Sequence, residues 1–174
     1  MDYGKYIYVY GSKSDNAKFE AEVHVSRCQV VGKELVNFEF WNGNDWVANV
    51  QESVSINGQL ETVSEQFGVF KYKDYYILLS QDRYKNPKQI YTYTALRPEG
   101  PFVNRKLVHT VDEPNFMEDA MFTYNAMAHP QFLKDDMLLV YYNVNTMDQQ
   151  KIWVKALLYK PCFFWVPMEL IIEN

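Results

Sequence analysis

Residues 68–80 read Gly68-Val69-Phe70-Lys71-Tyr72-Lys73-Asp74-Tyr75-Tyr76-Ile77-Leu78-Leu79-Ser80, two runs of strand-forming residues joined by a polar pair. Aromatic and β-branched side chains suit the pleated surface of a sheet, and a two-residue polar break between such runs marks a hairpin. Beyond it, Gln89 to Leu96 and Phe102 to Val111 supply two more strand-like runs. The unit is a hairpin followed by two strands.

That order recurs on both sides. Downstream come Gln131-Phe132-Leu133, the turn Lys134-Asp135-Asp136, Met137 to Tyr142, Lys151 to Tyr159 and Phe163 to Ile172, with Lys134 lying 61 residues after Lys73. Upstream, Tyr6, Tyr8 and Tyr10 alternate with Ile7 and Val9, as the two faces of a strand require. Gly11 to Asn16 reads as a loop, Glu22 to Val31 as a strand with Val23 and Val25 opposed to Glu22 and His24, and Leu35 to Trp41 as another. Asn42-Gly43-Asn44-Asp45 then makes a hairpin signal leading to Trp46, and Gly4-Lys5 lies about 70 residues before the middle turn.

A four-stranded meander repeated in this way predicts an all-β chain, a β-propeller with about three four-stranded antiparallel blades over residues 1–60, 61–120 and 121–174. A β-sandwich is the rival, since it too strings short strands between turns. The first copy lacks a strand matching Gly68 to Tyr72, and three blades fall short of the roughly four to eight that close a ring. The expectation is therefore a piece of a larger propeller, or self-association through open edges. Pro114 to Tyr124 is the one helix candidate and reads equally well as a loop.

Composition agrees with a globular β protein: 48% hydrophobic, 22% charged and 17% aromatic. A net charge of −5 without a basic cluster excludes nucleic acid as the expected partner. The longest apolar runs, Met137 to Val140 and Leu170 to Ile172, fall far short of the roughly 20 residues of a membrane helix. Cys28 and Cys162 have no zinc-ligand spacing and read as free buried thiols. No phosphate loop, HExxH pair or GxSxG elbow is present, and Met1 to Lys5 carries no signal-peptide pattern.

Several stretches are similar to an uncharacterised bacterial family of five-bladed propellers: Phe38-Glu39-Phe40-Trp41-Asn42-Gly43-Asn44-Asp45-Trp46, Gln66-Phe67-Gly68-Val69, Pro98-Glu99-Gly100-Pro101-Phe102, Tyr124-Asn125-Ala126-Met127-Ala128-His129-Pro130 and Tyr141-Tyr142-Asn143-Val144-Asn145. That family in turn resembles glycoside hydrolases of the arabinanase, xylosidase and invertase type. The resemblance implies a carbohydrate ligand, no cofactor, room for a structural cation on the propeller axis, and relatives that are secreted or periplasmic. The hydrolases open one blade with an Asp-Pro stretch and set a Glu before a Pro at the next. Here those segments read Gln66-Phe67-Gly68-Val69-Phe70 and Ala128-His129-Pro130, without either carboxylate.

Glycoside hydrolysis uses two carboxylates across the scissile bond. Near the expected inner strands, Glu65, Glu118 and Asp119 are the candidate acids, with Asp82 at the end of a neighbouring strand, each to be weighed against an ordinary solvated loop charge. His129 is a candidate acid/base or sugar-binding group. Tyr124, Asn125, Asn143 and Asn145 are candidate polar contacts for the ligand. Trp41 is either a sugar platform or, with Trp46, a hairpin staple; Trp153 and Trp165 read as core, and His24 and His109 as polar-face residues. Two functions remain open, a carbohydrate-active propeller with hydrolase-like activity and a non-catalytic module binding carbohydrate or protein.

Overall fold

Strand formation follows the alternation of the sequence, and the chain folds into three antiparallel sheets. The computed structural model describes residues 6–15, 20–58, 60–61, 63–82 and 85–172. Sheet A holds β1 (Ile7–Asp15), β2 (Glu20–Val31), β3 (Glu34–Trp41) and β4 (Trp46–Val47) in that spatial order. Sheet B holds β5 (Val63–Tyr72), β6 (Tyr75–Asp82), β7 (Gln89–Ala95) and β8 (Val103–Thr110). Sheet C holds β9 (Met121–Lys134), β10 (Met137–Thr146) and β11 (Lys160–Pro167), with β10 in the middle. The all-β class and three hairpin-led units stand, although sheet C has three strands where four were expected, and the sheets do not close on themselves.

Sheet B is the middle layer, which explains why β6 does not alternate. From Ile77 to Asp82 every residue is buried, because both faces of the strand are covered. Leu78 packs with Val23 and Val25 of sheet A, Tyr93 and Phe102, whereas Ile77 and Leu79 pack with Ala126, Leu138 and Val140 of sheet C. Burying one such aliphatic side chain is worth roughly 1.5–3 kcal/mol, so the two seams hold the layers together. In β10 the alternation is strict: Leu138, Val140, Tyr142 and Val144 face sheet B, and Leu139 and Tyr141 face outward.

Turn chemistry sets the hairpins. Lys73 takes a left-handed φ of 52° in the β5–β6 turn, and Asp135 and Asp136 take 51° and 56° in the β9–β10 turn, matching the right-handed twist of the strands they join. Gly100 sits at φ 90°, a backbone conformation strained for other residues, and a Cβ there would press on the Phe102 backbone nitrogen at 3.0 Å. That close turn drops Phe102 into the seam between sheets A and B.

Several expectations are corrected. Gly11 to Asp15 is not loop; it continues β1, with Gly11 opposite His24. The expected strand from Lys151 to Tyr159 is instead the end of α1 (Gln149–Ile152), a turn and a 3-10 helix at Ala156–Leu158. The Asp148 side chain caps α1 by accepting from the Gln150 amide at 3.1 Å. The last expected strand, Phe163 to Ile172, stops at Pro167 and gives way to α2 (Met168–Ile171), whose Met168 and Ile171 plug the core. Residues 114–120 form turns, not a helix. Trp153 is 90% exposed and Trp165 half exposed, so neither is core, and His109 stacks on Phe164 at 4.0 Å instead of facing solvent. Cys28 is buried as expected, while Cys162 is half-buried. Gly4-Lys5 and Asn16 lie outside the described residues.

Candidate functional site

Strands β5 and β9 run side by side in the same direction. Ser64 to Gln66 share a cavity with Phe122 to Tyr124 near their starts, and Val69 to Lys71 share another with Pro130 further along. Strand β1 runs the other way, because Ser12 and Ser14, towards its end, reach Glu65, whereas Tyr6 to Tyr10 lie beside Val69 to Lys71. In direction β1 therefore corresponds to β6, as the repeat had suggested.

A bulge builds the site. Val63 pairs with Asp82 and Phe67 with Ser80, so Ser64, Glu65 and Gln66 all stand opposite Gln81. Bulges of this kind re-aim side chains at strand ends. The Ser64 amide donates to the Ser80 hydroxyl at 2.9 Å, and the Gln66 amide to the Ser64 hydroxyl at 3.3 Å. Ser12 and Ser14 donate to the Glu65 backbone and carboxylate oxygens at 3.1 and 3.3 Å.

Gln81 ties the bulge to sheet C. Its Nε2 donates to the Thr123 hydroxyl at 2.6 Å and carbonyl at 3.2 Å, and to the Pro87 carbonyl. Its Oε1 is buried with no hydrogen-bond partner among the described residues, an orphan acceptor of the kind a water or ligand donor relieves. The cavity, about 580 Å³, is lined by Ser64, Glu65, Gln66, Gln81, Phe122 and Tyr124 among others, a size that suits a small ligand. Burial raises the Tyr124 phenol above its ordinary pKa, helped by the nearby Tyr159 and opposed by Asn145, so it stays a neutral donor.

Of the residues singled out in the sequence, Glu65 and Tyr124 meet at this cavity, with Asn145 behind Tyr124 and Asn143 paired opposite it on β10. The others lie elsewhere. Glu118 is exposed, and Asp119 lines a separate cavity where Lys155, at 3.0 Å, and Lys151, at 3.3 Å, hold its carboxyl below the usual range. Asp82 is buried against Arg105 at 3.4 Å and accepts from the Lys85 amide at 2.9 Å. His129 pairs with Leu139 and Tyr124 with Asn143, four positions apart on β10 and so roughly 13 Å at 3.3 Å per residue, and the His129 ring stacks on Tyr141 at 5.1 Å. Asn125, at φ 57°, donates to the Tyr141 hydroxyl at 3.1 Å. Trp41 packs on Trp46 at 5.5 Å across the β3–β4 hairpin, as a staple does. Among the described residues, no three His, Cys, Asp or Glu side chains gather closely enough to hold a metal ion, and no helix is long and apolar enough to cross a membrane.

Gln81 and Phe122 escaped the sequence reading, and Gln66 was met there only as the residue opening the segment that lacks the hydrolases' Asp. The one available signal was the polar pair Gln81-Asp82 following the apolar run of β6, which reads as a strand leaving the sheet.

Residues 1–168 match the model of a domain of unknown function, DUF5005. The chain belongs to that family. No curated protein is similar enough to match this DUF5005 domain. Among solved structures, a candidate hydrolase from Bacteroides ovatus ATCC 8483 superposes with a TM-score of 0.67 over 91% of the chain at 20% identity, a likeness of fold. The match takes in 41% of that protein, so the DUF5005 chain spans about two-fifths of its length.

Proposed function

We propose that this chain forms three blades of a β-propeller, one per sheet, and that the cavity between the starts of β5 and β9 binds a carbohydrate. The parallel course of β5 and β9 and the face-to-face stacking of successive meanders support the propeller reading. The observation that carries the ligand reading is the lining itself: a carboxylate, two amides and a phenol beside one aromatic ring, in about 580 Å³. Ligand hydroxyls can donate to the carboxylate and amide oxygens and accept from the phenol, and the ring offers an apolar face.

Hydrolysis is the finer question. The Bacteroides ovatus neighbour is named for it, and glycosidases need two carboxylates about 5–10 Å apart. Glu65 is the single Asp or Glu among the described lining residues, which favours binding without turnover as the second reading.

Titration calorimetry with arabinobiose, xylobiose and sucrose tests the proposal. Saturable binding to one of them is expected, weakened about 10-fold by Glu65→Gln, the cost of one charge-assisted hydrogen bond of about 1.5 kcal/mol. Absence of binding to all three, or binding indifferent to both Glu65→Gln and Tyr124→Ala, would overturn it. Sugar released over hours by the wild type and not by Glu65→Gln would move the chain from binder to hydrolase.

A further inference from the structure

A second cavity, about 450 Å³, lies on sheet A, and its lining includes His24, Ser53, Lys13 and the apolar side chains of Val9, Phe40 and Val50. Two of its residues touch. The Ser53 hydroxyl is 2.9 Å from His24 Nδ1, although 29 positions separate them in sequence. On the other side of the ring, His24 Nε2 faces Glu22 Oε2 at 3.9 Å, an ion-pair distance, and has no hydrogen-bond partner among the described residues. Strand alternation puts Glu22 and His24 on one face of β2, and the 3-10 helix Val50–Glu52 delivers Ser53 to the same face.

We propose that Ser53, His24 and Glu22 form a nucleophile, base and positioning carboxylate for acyl transfer, acting on carboxylic esters with a small apolar acyl group. Such arrays are recognised by geometry and roles, not by chain order or a flanking motif. The carboxylate opposite Nε2 favours the proton there, which leaves Nδ1 free to accept from Ser53. Burial lowers the His24 pKa against the pull of Glu22, with Lys13 adding to the lowering, so the ring is a neutral base at pH 7.

The chemistry balances without a further reactant. The Ser53 Oγ attacks the acyl carbon as its proton passes to His24 Nδ1. The bond to the alcohol breaks, and the alkoxide leaves with that proton. Water then repeats the exchange, giving its proton to Nδ1 and its oxygen to the acyl carbon; carboxylic acid leaves and the Ser53 hydroxyl is restored. Lys13 lines the same cavity and supplies positive charge for the oxyanion. The Val9, Phe40 and Val50 side chains set the apolar acyl side.

The test uses the folded chain with a fluorophosphonate probe and with p-nitrophenyl acetate. Peptide mass mapping should find the phosphonyl group on Ser53, and ester hydrolysis should fall about 100-fold in Ser53→Ala and His24→Gln, within the range for losing a nucleophile or general base. Glu22→Gln should lower kcat with little change in KM, as expected of a residue that orients the base. A probe that leaves Ser53 unlabelled in the wild type overturns the proposal regardless of how the variants fold. Equal hydrolysis by wild type and a normally melting Ser53→Ala overturns it as well.

Discussion

Replacing Leu78 and Leu79 one at a time by Ala interrogates the three-layer stack, because the two neighbours in β6 are both fully buried yet serve opposite seams. Leu78 loses contacts towards Val23 and Val25 of sheet A; Leu79 loses them towards Leu138 and Val140 of sheet C. Each truncation removes buried methyl groups and leaves a cavity, at a cost of about 3 kcal/mol apiece. For a chain of this size that is a fall of about 9 °C in Tm. Leu138 and Leu139 in β10 are the internal control, since Leu138 is fully buried and Leu139 faces outward beside His129 and Trp165. Leu138→Ala should cost as much as the β6 variants, and Leu139→Ala below about 1 kcal/mol. Urea unfolding of the four variants, compared at constant m, gives the numbers. If either Leu78→Ala or Leu79→Ala costs less than about 1 kcal/mol, sheet B has one covered face and the layering is wrong.

Four further outcomes are expected. Asp82→Ala should destabilise by about 3 kcal/mol in urea melts, the low end for breaking a buried ion pair, since Arg105 keeps Glu61 at 3.5 Å; a neutral effect would mean that the carboxylate is not buried charged. Burial lowers the pKa of both His24, which faces Glu22 and Lys13, and His109, which faces Glu113. Their contribution is present above the unfolded value near 6.5 and is lost as pH falls below it, so Tm should drop between pH 7 and pH 5, and less so in His109→Phe. Burial, then the hydrogen bond to Glu113, pushes the Cys162 thiol up to about 11, so an aromatic disulfide reagent should label it about 100-fold more slowly at pH 8 than an unperturbed thiol. The same shift is a stabilisation present below about pH 9 and lost as pH rises through 11, readable as a falling Tm over that interval.

The hairpins were legible because each is a local event. Lys73-Asp74 and Asp135-Asp136 interrupt alternating apolar runs, and no distant residue is needed to say that the chain reverses there. The stretch from Lys151 to Tyr159 misled because Trp153, Val154 and Leu157 look like strand residues, yet all three are exposed, the first two on the turn after α1 and Leu157 in the 3-10 helix. Exposed aromatics defeat a reading that equates apolar with buried. Within the candidate site, Glu65 and Tyr124 stood out as polar groups ahead of two expected hairpins, and both lie inside the hairpins' first strands, β5 and β9, which begin earlier than the apolar runs. Gln81 could not, since its burial depends on Thr123, 42 positions away, closing over it from another sheet. His129 showed the reverse: a conspicuous residue whose distance along β9 takes it to stacking on Tyr141, away from the cavity. The Ser53 and His24 pair is non-local in the same way, and no short motif announces it.

The most direct measurement is a crystal structure of the chain soaked with whichever of arabinobiose, xylobiose or sucrose binds best. The account predicts a sugar ring between the starts of β5 and β9, within hydrogen-bonding distance of Glu65 and Tyr124. A sugar seated instead on the outward aromatic face of sheet C, against His129 and Phe163, with the β5–β9 cavity holding only water, would contradict it.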